Sequence, residues 1–357
     1  MIEIGAASAR LLIADRRPAH AIPLWDDRAP APADTHGYEL RPALEETLTL
    51  DGTPADPARP EAGVGPMAQA VAQLVKRAEG VECADLQLVA EIAPASGAWG
   101  LDAAQAVARA VGRPVHLLTP HRASELFVLG ASEALDPTVE TLLVRYGGST
   151  TDVALSRARR RAGGAALPVG PEELATRHSD PPREGELKAL RHRVRATLRA
   201  LPAASLAALV VCAGVGEPLA LLPALAGVEA PSGTKRSRTR DAAQTEVTLA
   251  GVRRALRSLQ STHSARLARS SRIPQSALRR LPTAALILEA LMEHCGLDVC
   301  RLTPRGLRHG VLIAAAEDPQ HWWVDLEAAR LRRERLERVS PHGVTAPAAP
   351  HTSYRAA

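Results

Sequence analysis

The chain has 357 residues, 46% hydrophobic and only 2% aromatic, enough for two domains whose cores are packed from Leu, Val and Ala. No apolar run reaches the roughly 20 residues that span a bilayer, no cationic stretch followed by an apolar one marks a signal peptide, and Cys83, Cys212, Cys295 and Cys300 read as reduced thiols of a cytoplasmic protein. The net charge of +5 divides unevenly: Met1–Thr138 carries 11 basic and 19 acidic residues and the remainder 33 and 20, so a basic second half facing a cleft would attract a polyanion, while the scarcity of stacking aromatics disfavours nucleic acid.

In chain order, hydrophobic periodicity predicts a first α/β lobe over residues 1–138. It opens with strands at Ile2–Glu3 and Ala9–Ala14. A polar, proline-rich stretch follows, including Ala29-Pro30-Ala31-Pro32, with strands expected near Ala21–Trp25 and Glu46–Leu50. Met67–Ala78 has helical spacing, Leu86–Ala90 reads as a strand, and Leu101–Val111 as a helix ended by Gly112. Val115–Leu118 is a strand, and Ser124–Gly130 a helix leading out of the lobe. A second lobe over 139–317 begins near Thr141. It holds an extended piece at Gly164–Pro168, a basic helix at Gly185–Leu201, and a buried strand at Leu206–Cys212 entering the turn Ala213-Gly214-Val215-Gly216. Glu229–Glu246 reads as a polar surface loop, and Leu249–Leu259 and Leu281–Cys295 as helices. Cys295 and Cys300 have too few other ligand types nearby for zinc, and His294 reads as a helix-end residue. Residues 318–357 are expected to be peripheral, with a charged helix at Leu326–Val339 and a disordered tail at Pro341–Ala357. Trp322-Trp323 reads as a packing anchor for that last helix.

Two glycine-led hairpin phrases carry the chemistry. The first is Ile4-Gly5-Ala6-Ala7-Ser8-Ala9-Arg10-Leu11-Leu12-Ile13, the second Leu142-Leu143-Val144-Arg145-Tyr146-Gly147-Gly148-Ser149-Thr150-Thr151-Asp152-Val153. No internal repeat is evident beyond this pair. Such turns present backbone N–H groups and hydroxyls, and two facing turns can hold the oxygens of a phosphate chain; equally, their residues suit ordinary hairpin turns. Hydrolysis would also need carboxylates to hold a metal ion and activate water. Where these are expected, the chain reads Glu3 and Arg145.

The order of these phrases resembles the Ppx/GppA family of exopolyphosphatases and guanosine pentaphosphate phosphohydrolases, over about residues 1–315. Glu3-Ile4-Gly5-Ala6-Ala7-Ser8-Ala9-Arg10-Leu11 stands for the family's opening Asp-(Ile/Leu)-Gly-Ser-Asn-Ser-x-(Arg/His)-Leu. Ala90-Glu91-Ile92-Ala93-Pro94-Ala95 stands at its Ala-Thr-Ser-Ala-x-Arg, and Pro114–Gly130 at its Glu-Glu-Ala-Arg phrase. Arg145–Val153 matches Asp-Ile-Gly-Gly-Gly-Ser-Thr-Glu-Leu, and Gly306-Leu307-Arg308-His309-Gly310 matches Gly-Leu-Arg-Glu-Gly.

The resemblance implies two RNase H-like α/β lobes of the actin-like and sugar-kinase superfamily, with an interlobe cleft. It implies polyphosphate or a phosphorylated guanosine nucleotide as ligand, phosphate contacts at Gly5, Ser8, Arg10, Gly147, Gly148, Ser149 and Thr150, and Mg²⁺ as metal. The departures are selective. The family's metal- and water-placing glutamate and aspartate fall on Ala123 and Arg145, its phosphate-binding arginine on Ala95 and its first-loop asparagine on Ala7. Asp152 keeps a carboxylate after the second loop and is the candidate catalytic residue; Glu3 and Asp152 are the candidate metal ligands, with a strand-end charge in solvent as the plainer reading of Glu3. Arg145 adds a fixed positive charge where a metal would sit, yet cannot generate hydroxide at neutral pH. His121 and Arg122 suit either the cleft mouth or a plain surface loop, Glu125 a solvated helix face, and Tyr146 the core. The leading expectation is a homologue that binds a phosphate chain with weak or no hydrolysis. One alternative is a working phosphoanhydride hydrolase using Asp152 and Glu3. Another is a non-enzymatic scaffold that binds an acidic partner or nucleic acid through the basic second lobe.

Overall fold

A computed structural model of the chain describes residues 1–5, 8–18, 38–49, 61–91, 101–131, 135–136, 138–148, 150–199, 201, 208–212, 218–227, 245–270 and 275–324, and the architecture is that of these residues. The first sheet holds β1 (Ile2–Ile4), β2 (Ser8–Pro18), β3 (Tyr38–Thr49), β4 (Leu88–Glu91) and β5 (Val115–Leu118). Helix α1 (Glu61–Glu79) precedes β4, α2 (Leu101–Val111) precedes β5, and α3 (Pro120–Ala131) follows it. The second sheet holds β6 (Thr141–Tyr146), β7 (Thr151–Arg157), β8 (Arg160–Leu167), β9 (Ala208–Cys212), β10 (Thr245–Thr248) and β11 (Val299–Thr303). Its helices are α4 (Pro171–Ala175), α5 (Glu184–Leu198), α6 (Leu222–Leu225), α7 (Leu249–Gln260), α8 (Ser264–Ser270), α9 (Gln275–Leu278), α10 (Leu281–Cys295) and α11 (Leu307–Glu317).

Strand order in the first sheet is β3-β2-β1-β4-β5: an antiparallel meander of three, then two strands parallel to β1. The second sheet repeats it as β8-β7-β6-β9-β11, with β10 added antiparallel at the far edge. The duplication therefore runs well past the two hairpins that the sequence displays.

Side chains alternate across each sheet and separate its two faces. Ile2, Ile4, Leu88 and Ala90 pack on Met67, Val71 and Leu74 of α1. Val89 and Leu118 point the other way, onto Ala123 and Leu126 of α3 and Leu307 and Val311 of α11. In the second sheet Leu142, Val144, Leu209 and Val211 join the core made by α5, α7 and α10, while Leu143 and Val210 meet Phe127, Val128 and Ala131 of α3. Helix α3 thus contributes to a core on each sheet, with α11 beside it. Two glycines allow that closeness. A Cβ at Gly130 would lie 1.9 Å from the Gly306 carbonyl oxygen, and one at Gly310 would lie 1.7 Å from that of Leu126.

Helix α2, strand β5 and helix α10 have the bounds the sequence predicts. Elsewhere the extents differ for physical reasons. Strand β8 starts early because the β7–β8 hairpin turns on Ala158 and Arg159, both at positive φ without glycine, so no turn signal marks it. Part of the expected loop at Glu229–Glu246 is strand, since Thr245 and Glu246 begin β10 and pair with Leu302 and Arg301. The expected strand at Glu46–Leu50 is the end of β3. Nor is the chain peripheral from Asp318: Trp322 is fully buried, edge-on to His116 at 5.1 Å between ring centroids, and its carbonyl accepts hydrogen bonds from Arg122 Nε (2.9 Å) and Nη2 (2.5 Å). The expectations for Ala21–Trp25, Ala29–Pro32, Ala213–Gly216, Leu326–Val339 and Pro341–Ala357 lie outside the described residues, as do Ala7, Ala95 and Ser149. Among the described residues no helix is long and apolar enough to cross a membrane.

Candidate functional site

The first hairpin is closed from within. Gly5 N–H donates to the Ser8 carbonyl at 2.8 Å, so that amide is spent on the turn. Ser8 is buried at the start of β2. In the β1–β2 ladder Arg10 lies directly opposite Glu3. Burial works to raise the Glu3 carboxyl, but Arg10, Arg308 and Arg145 outweigh it and hold its pKa below the ordinary value.

The second hairpin closes in the same way, with Gly147 N–H donating to the Thr150 carbonyl at 2.9 Å. The Gly148 carbonyl is engaged within the fold: it accepts from the amides of Glu172 (3.0 Å) and Glu173 (3.2 Å) at the start of α4. A Cβ on Gly148 would come within 2.7 Å of the Glu172 carboxylate. In this ladder Arg145 lies opposite Asp152, the inverse of the first hairpin's arrangement.

Arg145 is where the two hairpins meet. Its Nη2 donates to Asp152 Oδ2 at 2.6 Å and to Glu91 Oε2 at 2.7 Å. Its Nη1 donates to the other oxygen of Glu91 and lies 4.0 Å from Glu3 Oε1. The guanidinium is also 5.9 Å from the Phe127 ring centroid. Burial opposes its charge, but Glu91, Asp152 and Glu3 prevail and raise its pKa further. The network continues through Arg308, whose Nε is 3.6 Å from Glu3 Oε2 and whose Nη2 is 2.5 Å from Glu45 Oε1.

In this structure a guanidinium sits at the centre of this donor set. Glu3 and Asp152, the candidate ligands, both face Arg145, and among the described residues no group of three or more His, Cys, Asp or Glu is arranged to hold an ion. A bidentate fork between Glu91 and Arg145 supplies the charge neutralisation a cation would otherwise provide.

Beside the network lies a cavity of about 210 Å³, lined by Glu91, Ser124, Arg145, Thr150, Asp152 and Arg161 among others. Arg161 Nε is steadied by a 3.1 Å hydrogen bond to Ser124 Oγ. His121 also lines the cavity. Arg122 is instead engaged with Trp322 and, at 2.9 Å, with Glu125, so Glu125 is paired on its own helix. Tyr146 packs on the second core. Ala123, at the resembled glutamate position, is fully buried among Leu126, Leu307 and Val311; the cavity is lined instead by the α3 face of Pro120, His121, Ser124 and Phe127.

Sequence reasoning did not single out Glu91, Glu45 or Arg308 as site residues. Glu91 reads as a charge at a strand end, and its partner is 54 positions away. The available signal was chemical: an arginine in place of a buried carboxylate requires new acids around it.

Residues 51–318 match the sequence model of the Ppx/GppA phosphatase family. An uncharacterized protein of Streptomyces coelicolor is 24% identical over 331 residues, covering 91% of this chain and 92% of its own length. Among solved structures, an exopolyphosphatase from Cytophaga hutchinsonii superposes with a TM-score of 0.70 at 14% identity, over 88% of this chain and 96% of its own. The Aquifex aeolicus PPX-GPPA enzyme gives 0.63 at 20% identity, over 87% and 97%. These likenesses match the two-lobed actin-like, sugar-kinase-type fold.

Proposed function

The chain belongs to the Ppx/GppA phosphatase family, and from that premise we propose that it binds a phosphate chain in the cleft but hydrolyses it weakly or not at all. The observation that carries this reading is Arg145, clamped between Glu91 and Asp152 with Glu3 nearby. The Asp152 oxygen that would meet a water proton already accepts a 2.6 Å hydrogen bond from Arg145. With Asp152 so engaged and Ala123 carrying no acid, neither of these two resembled acid positions offers a free carboxylate to draw a proton from water. Arg145 supplies charge but has no site on which water could be ionised.

Binding is supported by what remains on the cavity wall. Arg161 and Thr150 line it beside the engaged Arg145, and a guanidinium fork such as that of Arg161 suits phosphate oxygens. The ligand class, polyphosphate or a pentaphosphate guanosine nucleotide, is carried over from the family. The free thiols Cys83, Cys295 and Cys300 fit action in a reducing compartment such as the cytoplasm.

The test pairs two measurements on the unaltered protein. Polyphosphate titration should give binding that weakens with salt. Phosphate release from the same polymer, with Mg²⁺ and potassium present, should stay near background. Robust metal-dependent release would establish the hydrolase reading instead, and absence of binding at low salt would leave the scaffold reading.

A further inference from the structure

The face of the second sheet opposite α3 carries a separate charged surface. There α10 lies between α5 and α7, and its Glu289 and Glu293 are shared by arginines from both flanks. Arg191 meets Glu289 at 2.9 Å and Arg195 meets Glu293 at 2.6 Å from α5. Arg253 of α7 meets both, at 3.2 Å and 2.6 Å. Three guanidiniums on two carboxylates leave an excess of one positive charge and fix the orientation of each arginine fork.

The same helices extend the surplus. Lys188 and Arg199 stand three before Arg191 and four after Arg195, on the same helical stripe, and Arg257 stands four after Arg253. All three are exposed and make no ion pair among the described residues. The α5 stripe alone spans about 16 Å at the rise of an α-helix. Its one acidic neighbour at i−4 from Lys188 is Glu184. Neither α5 nor α7 contains an aromatic residue, so the surface offers charge and forks without a base-stacking platform.

We infer that this α5–α10–α7 face is a second binding surface, for the outlying length of a long linear polyphosphate. The ligand is a flexible polyanion with no bases, recognised by guanidiniums already held in place by Glu289 and Glu293. Only the choice of polyphosphate over other polyanions rests on the function proposed above; the surface is distinct from the cleft.

The experiment compares polyphosphates of about ten and several hundred units, binding the unaltered chain and the triple variant Lys188→Ala/Arg199→Ala/Arg257→Ala. These side chains are exposed, so circular dichroism should be unchanged. The unaltered chain should bind the long polymer more tightly, with the steeper salt dependence. The triple variant should lose at least about tenfold for the long polymer. Its log–log salt slope should fall by about 2, from three phosphate contacts at 0.7–0.9 each. Short-chain binding, a property of the cleft, should not move. Equal long-chain affinity and salt slope in both proteins would overturn the inference. So would duplex DNA or an acidic peptide of matched charge binding the unaltered chain more tightly than long polyphosphate. Absence of short-chain binding to the unaltered chain, with the long-chain losses still seen in the triple variant, would overturn the cleft reading and uphold this surface.

Discussion

The two hairpins are built alike and charged in opposite senses. In the first, the acid Glu3 is on the incoming strand and Arg10 on the outgoing one; in the second, Arg145 comes in and Asp152 goes out. Each pair sits in register just before its turn. The consequences differ because of what lies across the cleft. Arg145 reaches the first sheet and gathers Glu91 and Glu3, whereas Glu3 is served by three arginines from different elements. One exchanged charge therefore turns a place where acids would converge on a cation into a network that carries its own cation.

The largest way to break this comparison is to part the two hairpins. Gly310→Ala would drive a methyl into the Leu126 carbonyl, 1.7 Å away, and backbone cannot yield as a side chain does. A loss above about 4 kcal/mol is expected in denaturant titration, and a variant of unchanged midpoint would contradict the packing described. Next comes the lock itself. Arg145→Ala leaves Glu91, Asp152 and Glu3 facing one another without their cation, a loss of about 3–5 kcal/mol. Arg10→Ala, where Arg308 still attends Glu3, should lose only about 1–2 kcal/mol. Equal losses would mean that the hairpins are equivalent after all.

Acid should sharpen the same contrast. His309, buried beside Arg305 and Arg308, is pushed down to about 3. Below its ordinary value of about 6.5 the unfolded chain takes up a proton that the folded chain refuses. Stability is thus full above that value and falls as pH drops toward 3, with Glu3 adding to the loss below its ordinary range. Thermal melts between pH 8 and pH 4 should show the decline, and His309→Gln should flatten its upper part. The smallest effect is expected at Asp152. With the carboxylate already held by Arg145, Asp152→Asn should change residual phosphate release less than about twofold, and a collapse of measurable turnover would mark Asp152 as a working base.

Much of the fold was legible because its signals are local. Leu101–Val111 carries helical periodicity and a following Gly112 at positive φ. Both glycine turns sit between alternating apolar strands. What stayed hidden is long-range or unsignalled. Strand β11 is short, with the polar Arg301 at its centre, and the turn at Ala158-Arg159 lacks glycine. Of the site, the hairpin residues were readable from resemblance. Glu91, Glu45 and Arg308 were not, because ion pairing across two sheets leaves no trace in spacing.

Helix α3 belongs to the cores of both sheets, and α11 with Trp322 returns from the second sheet to cover Met1, Val89 and Leu118 of the first. Neither lobe can then close its core alone. Despite two sheets and a duplicated topology, Met1–Trp323 should melt in a single cooperative transition, and cutting the chain before α11 would cost the first lobe its fold as well as the second its last helix.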